Sequence, residues 1–136
     1  MKNRLIISSL IFVLLLGFPA TIFNQSSNLE KPFIVGAENN ETSKAKLDLL
    51  AETAGKDKLI FLIARLGTFE QSRTLSRRRL RTALEYLKNT RDLPAKRLVS
   101  ARGERASGEG RIEVYLDNDL FMIVLFKRNK NFAREP

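Results

Sequence analysis

An uncharged apolar run near the amino terminus sets the main limit on what this chain can fold into. Residues 5–18 read LIISSLIFVLLLGF and follow Lys2 and Arg4. This arrangement matches the basic and apolar regions of a secretory signal. Extended to residue 23, the apolar stretch is also just long enough to cross a bilayer as a helix. The sequence therefore predicts an exported protein of the periplasm or cell envelope. Residues 1–23 are either a cleaved signal peptide or an uncleaved inner-membrane anchor that spans the membrane through residues 5–23.

The rest of the chain is basic and lacks the usual catalytic residues. The 136 residues include 24 Lys and Arg against 15 Asp and Glu, a net charge of +9, and contain no cysteine or histidine. Such a charge favours anionic partners, while the two absences remove thiolate chemistry, the commonest general base and the commonest metal ligand. No close carboxylate pair stands beside a nucleophile. The sequence therefore predicts a protein that is not an enzyme and has no metal or cofactor.

The pattern beyond residue 23 divides the chain into three parts. Residues 24–43 are polar and read as a tether that holds one short strand at residues 33–35. Residues 44–128 alternate helix-like and strand-like patterns and form the predicted domain. Residues 129–136 are predicted to be a mobile basic tail, continuing the basic sequence that begins at Lys127.

Hydrophobic periodicity predicts the elements of that domain. A first helix is capped by Ser43 and stopped by Gly55, and a second is capped by Thr74 or Ser76 and ends before Pro94. The apolar run LIFLIA predicts a strand covered on both faces. That strand covers residues 59–64, and further strands are predicted at residues 98–101, 112–116 and 120–126, the last two as a hairpin. The fold class is α+β, a two-layer sandwich with two helices on one mixed β-sheet.

The second helix contains four arginines in the stretch TLSRRRLRTALEYL, residues 74–87. At 100° per residue, Arg78 and Arg81 point away from the apolar stripe, and Arg81 is spaced to pair with Glu85. They read as a solvated face. Arg77 and Arg79 flank the stripe, and two roles stay open for Arg79. It either binds an anion or is a boundary residue that covers the core rim or pairs with Glu70 or Glu104.

Four short motifs resemble those of the OmpA-like peptidoglycan-associated domain. They are LSRRRL, YLKNTRDLPAKRL, ARGE and GRIEV, within residues 59–116. The resemblance implies a β-α-β-α-β-β domain that tethers an envelope protein to peptidoglycan. It also implies that an aspartate and an arginine hold the diaminopimelate of the peptide stem.

The arginine of that pair corresponds to Arg79, and the ligand-binding set that we predict comprises Ser76, Arg77, Arg79 and Arg111. The family aspartate has no counterpart, because its position falls at about Ala64. The first arginine of the family's strand motif is likewise replaced by Gly110.

Three functions follow from these observations. The first is an exported envelope domain with a structural or binding role that contacts peptidoglycan through Arg79. The alternative is a degenerate module of the same family that assembles with envelope proteins and binds no peptidoglycan. A third, a basic module for anionic polymers, rests on net charge alone, and nucleic acid is disfavoured because aromatic residues do not interleave with the basic ones.

Overall fold

The described part of the chain folds into five strands and two helices, which alternate along the sequence and end in a hairpin. The computed structural model describes residues 31–37 and 40–132. A π-helical turn, Tyr86–Thr90, extends the second helix, and a 3₁₀ turn, Ala95–Arg97, precedes the third strand. The elements are β1 (Phe33–Gly36), α1 (Asn40–Ala54), β2 (Ile60–Arg65), α2 (Arg73–Glu85), β3 (Leu98–Arg102), β4 (Gly110–Leu116) and β5 (Asp119–Phe126).

All five strands form one mixed sheet in the order β1-β5-β4-β2-β3. The outer pairs β1/β5 and β2/β3 are parallel, whereas β4 runs antiparallel to both of its neighbours. The predicted class, α+β with two helices and a mixed sheet, is confirmed. The sheet holds one strand more than the β-α-β-α-β-β order, because β5 follows β4 as an additional strand.

A single apolar core lies between the helices and one face of the sheet. Leu47 and Leu50 of α1 and Leu80 and Leu87 of α2 are buried there against the inward residues of the strands. The inward residues alternate with partly exposed ones along β2 and along most of β5. The periodicity of 2 in the strands and 3.6 in the helices therefore produces one shared core.

The other face of the sheet is covered by no element of the described part of the chain. The strand registers place on this face eight apolar or aromatic side chains, which we call the open face: Ile34, Phe61, Ile63, Val99, Tyr115, Leu120, Ile123 and Leu125. Ile34 is 65% exposed and Val99 is 42% exposed. The prediction that β2 is covered on both faces is therefore wrong, since only its alternate residues are buried.

The helix starts differ from the predicted caps. Helix α1 begins at Asn40, and the buried Ser43 hydroxyl instead donates to the Gly36 carbonyl at 3.3 Å. Helix α2 follows Ser72, and Ser76 is buried within its first turns. The predicted stop at Gly55 is confirmed, because this residue has φ of +53°, which glycine adopts without steric cost. The sequence does not single out the residue that caps each helix, because several neighbouring polar residues can fill that position.

The hairpin and the start of the tail pack more closely than the sequence indicated. Strands β4 and β5 turn at Asp117, which has φ of +53° and accepts a hydrogen bond from the Leu59 amide at 2.9 Å. After β5 the chain folds back, and Phe132 packs edge-on against Phe126 with ring centroids 5.0 Å apart. Residues 127–130 have exposed side chains, but the backbone of Asn129 and Lys130 and the ring of Phe132 contact the domain, which corrects the prediction of a mobile tail for residues 129–132.

The amino-terminal predictions lie outside the described residues. The signal or anchor at residues 1–23 and the first part of the tether belong to this region. Within residues 31–37 and 40–132, no helix is long and apolar enough to cross a membrane. Strand β1 and the first turn of α1 show that the sheet domain includes residues that the sequence had placed in the tether.

A buried arginine closes the carboxyl end of α1. Arg97 donates to the carbonyls of Ala54 at 3.0 Å, Gly55 at 2.7 Å and Lys58 at 2.8 and 3.0 Å. Ala54 ends α1 and its carbonyl also accepts the Lys58 amide at 3.3 Å, while Gly55 and Lys58 lie in the turn that follows, where the hydrogen bonds of the helix no longer continue. Arg97 thereby connects the start of β3 to α1 across the core.

We predict that Arg97→Met lowers the free energy of unfolding by about 2–4 kcal/mol, because it removes a buried guanidinium that donates to three carbonyls at the end of α1. Urea denaturation of the full chain, followed by circular dichroism, measures this change. The matched control is Arg91→Met, since Arg91 also contacts α1 but through half-exposed ion pairs to Asp48 and Glu52. That control should cost less than about 1 kcal/mol. Equal losses for the two variants would contradict the capping role.

Candidate functional site

The predicted ligand-binding residues of α2 separate into buried and exposed groups. Arg79 has a side chain that is 0% exposed, and Ser76 is also buried. Arg77, Arg78 and Arg81 are exposed. Among the described residues, neither Arg78 nor Arg81 forms the ion pair with Glu85 that their spacing suggested. The outer arginines are solvated, as predicted, but without that pair.

Arg79 forms a two-pronged ion pair with Glu70 inside the protein. Its Nη1 lies 2.8 Å from Glu70 Oε2, and its Nη2 lies 2.5 Å from Glu70 Oε1. Such parallel N–H···O bonds fit the planar guanidinium to the planar carboxylate. Of the two roles left open by the sequence, the geometry is that of the pair with Glu70.

The remaining surroundings of Arg79 also come from the protein itself. Nε and Nη2 donate to the Lys130 carbonyl at 2.9 and 2.6 Å, and the guanidinium lies 4.2 Å from the centre of the Phe126 ring. Four hydrogen bonds and an aromatic face thus replace the water lost on burial. This guanidinium has no exposed surface with which to receive a ligand.

Glu70 is equally well satisfied. Besides Arg79, its carboxylate accepts the Gly67 amide at 2.9 Å and the Asn129 amide at 3.0 Å. Burial by itself raises the pKa of Glu70. The hydrogen bonds from Arg79 and Gly67, the charge of Arg79 and the Asn129 amide together lower that pKa below its ordinary value. Glu70 is therefore held as a carboxylate.

Close packing at Gly110 seals this pair. A Cβ atom at Gly110 would collide with the Glu70 carboxylate and the Arg79 guanidinium. The residue that replaces the family's strand arginine thus leaves the space that the ion pair occupies. At the position of the family aspartate, Ala64 is fully buried in the core. The described residues contain no diaminopimelate clamp built on these two positions.

Arg111 lies apart from the other predicted ligand-binding residues. It is on the open face of the sheet, level with Arg65 across β2 and β4. Its Nε is 3.0 Å from Glu113 Oε1, which makes an ion pair, although the two groups are not aligned for a hydrogen bond. Ser76, Arg77, Arg79 and Arg111 therefore do not form one site.

A different set of arginines converges at the edge of the sheet where β2 and β3 end. A cleft of about 480 Å³, which we call the basic cleft, opens beside the first turns of α2. Parallel strands joined through a helix bring their carboxyl ends to the same edge, a common location for binding sites. The lining residues are Leu66, Arg73, Ser76, Arg102, Gly103 and Arg105.

The basic cleft has three positive charges and no acidic lining residue. Arg105 is held in place by hydrogen bonds to the carbonyls of Gly67 and Glu70, the latter at 2.6 Å. Arg73 and Arg102 are exposed and form no ion pair with any residue that the structure describes. Guanidinium groups present paired N–H donors that match a carboxylate or phosphate. The arrangement can therefore bind an anion.

Sequence reasoning missed this cleft because its arginines come from two separate segments. Arg73 precedes the LSRRRL motif, while Arg102 and Arg105 lie in and after ARGE. Each looks like an ordinary surface arginine on its own. The parallel β2-α2-β3 unit was the available signal, since it places residues after β2 and after β3 side by side.

A larger groove of about 920 Å³ separates α1 from α2. Leu47, Ala83 and Phe132 contribute apolar surface, and Arg78 and Arg81 contribute charge. Asn131 also lines the groove, and its buried Oδ1 has no hydrogen-bond donor among the described residues. In contrast to the basic cleft, the lining also includes an acid, Glu85. The groove therefore has no uniform charge that would select a ligand.

Neither the side chains nor the comparisons assign a chemistry to the protein. Among the described residues there is no group of three or more acidic side chains placed to hold a metal ion. Comparison with models of known protein families, with curated proteins and with solved structures finds no match. The resemblance to the OmpA-like domain stays a prediction.

We predict that Glu70→Gln lowers the free energy of unfolding by about 3–5 kcal/mol at neutral pH, because it leaves Arg79 charged and buried without its counter-ion. The pKa of Glu70 is lowered in the folded state, so its contribution is present above the ordinary value of 4.5 and is lost as the pH falls through the folded-state value. The difference between wild type and variant should therefore shrink below about pH 4.5.

Denaturant unfolding of the full chain between pH 3 and pH 7 measures this dependence. Glu104→Gln is the matched control, because Glu104 is exposed and its carboxylate has no partner among the described residues. That variant should stay within about 0.5 kcal/mol of wild type. A constant difference between Glu70→Gln and wild type across this range would contradict the assigned role of the carboxylate.

Proposed function

We propose that this protein is an exported, non-catalytic module of the cell envelope that holds an anionic polymer in the basic cleft. The observation that carries the proposal is the convergence of Arg73, Arg102 and Arg105 in a cleft without an acid. The signal-like residues 5–18 support export, and the family resemblance supports a role at the cell wall.

The electrostatics of the cleft favour an anion. Three like charges that converge repel one another, and a bound carboxylate or phosphate would offset this repulsion. Arg105 is already positioned by two backbone carbonyls, so less side-chain freedom is lost when a ligand binds. Leu66 and Gly103 add a short uncharged surface beside the arginines.

Peptidoglycan is the polymer that we propose, because its stem peptides carry carboxylates. The contact that the sequence assigned to Arg79 would be made by the cleft arginines. The cleft lining offers no carboxylate for an ammonium group, so recognition would depend on the carboxylates of the stem and not on the whole zwitterion of diaminopimelate. The lining also has no aromatic ring on which a nucleic-acid base could stack.

Protein–protein assembly at the envelope is a second candidate function. The observation that favours it is the open face, where apolar side chains of all five strands face outward. Monomeric proteins rarely expose large contiguous apolar patches. The two functions use different surfaces, so each can be tested separately.

We predict that the full chain sediments with purified peptidoglycan sacculi and that Arg73→Gln combined with Arg102→Gln weakens this binding about 10-fold or more. The loss of two charge-assisted contacts is the physical reason. Binding should also weaken as the salt concentration rises. The measurement is the bound fraction as a function of sacculus concentration.

Two controls distinguish binding in the basic cleft from non-specific attraction to the net positive charge of the protein. Arg78→Gln combined with Arg81→Gln removes the same charge from the opposite side of α2 and should bind as wild type does. Circular dichroism of each variant checks that the fold is retained. Absence of binding by wild type, or equal weakening in both double variants, would contradict the proposal. Arg79→Ala is unsuitable here, because it would disrupt the buried pair with Glu70.

A further inference from the structure

The open face is apolar, as the buried part of a protein interface usually is, although no element of the described chain covers it. Its central residues Phe61, Ile63, Tyr115 and Ile123 form two neighbouring rows across β2, β4 and β5. Each is only partly shielded by its neighbours, and Ile34 and Val99 at the sides are more exposed. We propose that this face is the contact surface of a symmetric dimer, formed with a second copy of this chain.

The size of the face suits a reversible dimer. Five strands spaced about 4.8 Å apart span about 24 Å, and the six residue steps from Leu59 to Arg65 span about 20 Å. The flat area is therefore about 480 Å², and side-chain relief increases the accessible area. A standard interface buries about 800 Å² on each partner. The contact therefore falls at the small end of stable interfaces, and association should depend on concentration.

Charges at the two ends of the open face point to a second copy as the occupant. Arg65 and Arg111 lie opposite each other at one end, and Glu113, in the next row between Ile63 and Ile123, forms an ion pair with each of them. Asp117 lies at the other end, beside Leu59. Two arginines against one glutamate give the first end a net positive charge, and Asp117 places a carboxylate at the other end, where the exposed Lys58 precedes Leu59.

A two-fold axis that is parallel to the sheet and perpendicular to the strands brings the basic end of one copy against the acidic Asp117 of the other. It places Arg65 and Arg111 of one copy over Asp117 of the other, and the apolar centre against itself. Sheets that pack face to face in this way keep their strands nearly aligned. The contact is isologous and closed, so it stops at a dimer.

Hydrogen bonds within one copy already hold the charged side chains at the Arg65 end of the open face. Arg65 Nε donates to Glu113 Oε2 at 3.0 Å, and the Tyr115 hydroxyl donates to the same oxygen at 3.3 Å. Glu113 is itself buried among these groups. Because this cluster does not have to rearrange, association loses little side-chain freedom.

The absence of cysteine gives a direct test. Ile63→Cys introduces one thiol near the proposed two-fold axis, whereas Lys88→Cys introduces one on the exposed helical layer. Sheet backbones about 10 Å apart are too distant for a disulfide, so a short bismaleimide is the reagent. The full chain in mild detergent should give cross-linked dimer with Ile63→Cys and little or none with Lys88→Cys.

A second substitution tests the proposed charge pairing. Asp117→Asn removes the charge while keeping an acceptor for the Leu59 amide and tolerance of positive φ. In the Ile63→Cys background it should reduce the cross-linked fraction several-fold at low salt and have little effect at high salt. Ile123→Glu should abolish cross-linking through Ile63→Cys, with circular dichroism confirming the fold.

Several results would overturn the dimer. Equal cross-linking through both cysteine positions would indicate association elsewhere, such as through the apolar amino-terminal residues that both variants share. A slowly reacting thiol at position 63 without dimer would mean that the chain itself, or detergent in place of a membrane, covers the face. The Arg73→Gln and Arg102→Gln substitutions should leave cross-linking unchanged, so failure of the dimer and failure of anion binding are distinguishable.

Discussion

The rest of the structure depends on one buried ion pair, between Arg79 and Glu70. It joins the loop after β2 and the helix α2 that follows it to the chain that folds back after β5, where Lys130 lies 51 residues beyond Arg79. Charges removed from water are costly unless their partners are well aligned. Here Arg79 and Glu70 meet in a bidentate pair and also bond to backbone groups. Displacement of any of the three segments would leave a buried charge unpaired, so the pair fixes their relative positions.

The same interaction organises the surface of the molecule. The loop that carries Glu70 also supplies the two carbonyls that hold Arg105 at the basic cleft. One arginine of α2 is therefore used for stability, whereas Arg73 of the same helix stays free at the surface. The burial of Arg79 removes it as a ligand-binding group, and the position of Arg105 depends on that burial.

The two proposed surfaces are compatible with each other. The basic cleft opens at the edge where β2 and β3 end, beside α2, whereas the open face lies on the side of the sheet away from both helices. A dimer through the open face would leave two clefts free. Two weak contacts to one polymer act together when the geometry allows both, which raises the apparent affinity without any new contact. This combination would suit a protein that holds an extended anionic polymer such as the cell wall.

The sequence by itself determined the two helices, the terminal hairpin and the inward stripes of Leu47, Leu80 and their neighbours, because hydrophobic periodicity is a local property of the chain. It narrowed the role of Arg79 to two alternatives without deciding between them. Only the tertiary structure decided that Arg79 is buried, since its partners Glu70 and Lys130 stand 9 and 51 residues away. It likewise decided that Arg73, Arg102 and Arg105 converge and that one sheet face stays open. Burial, pairing and convergence depend on which distant segments meet, and no local pattern encodes that.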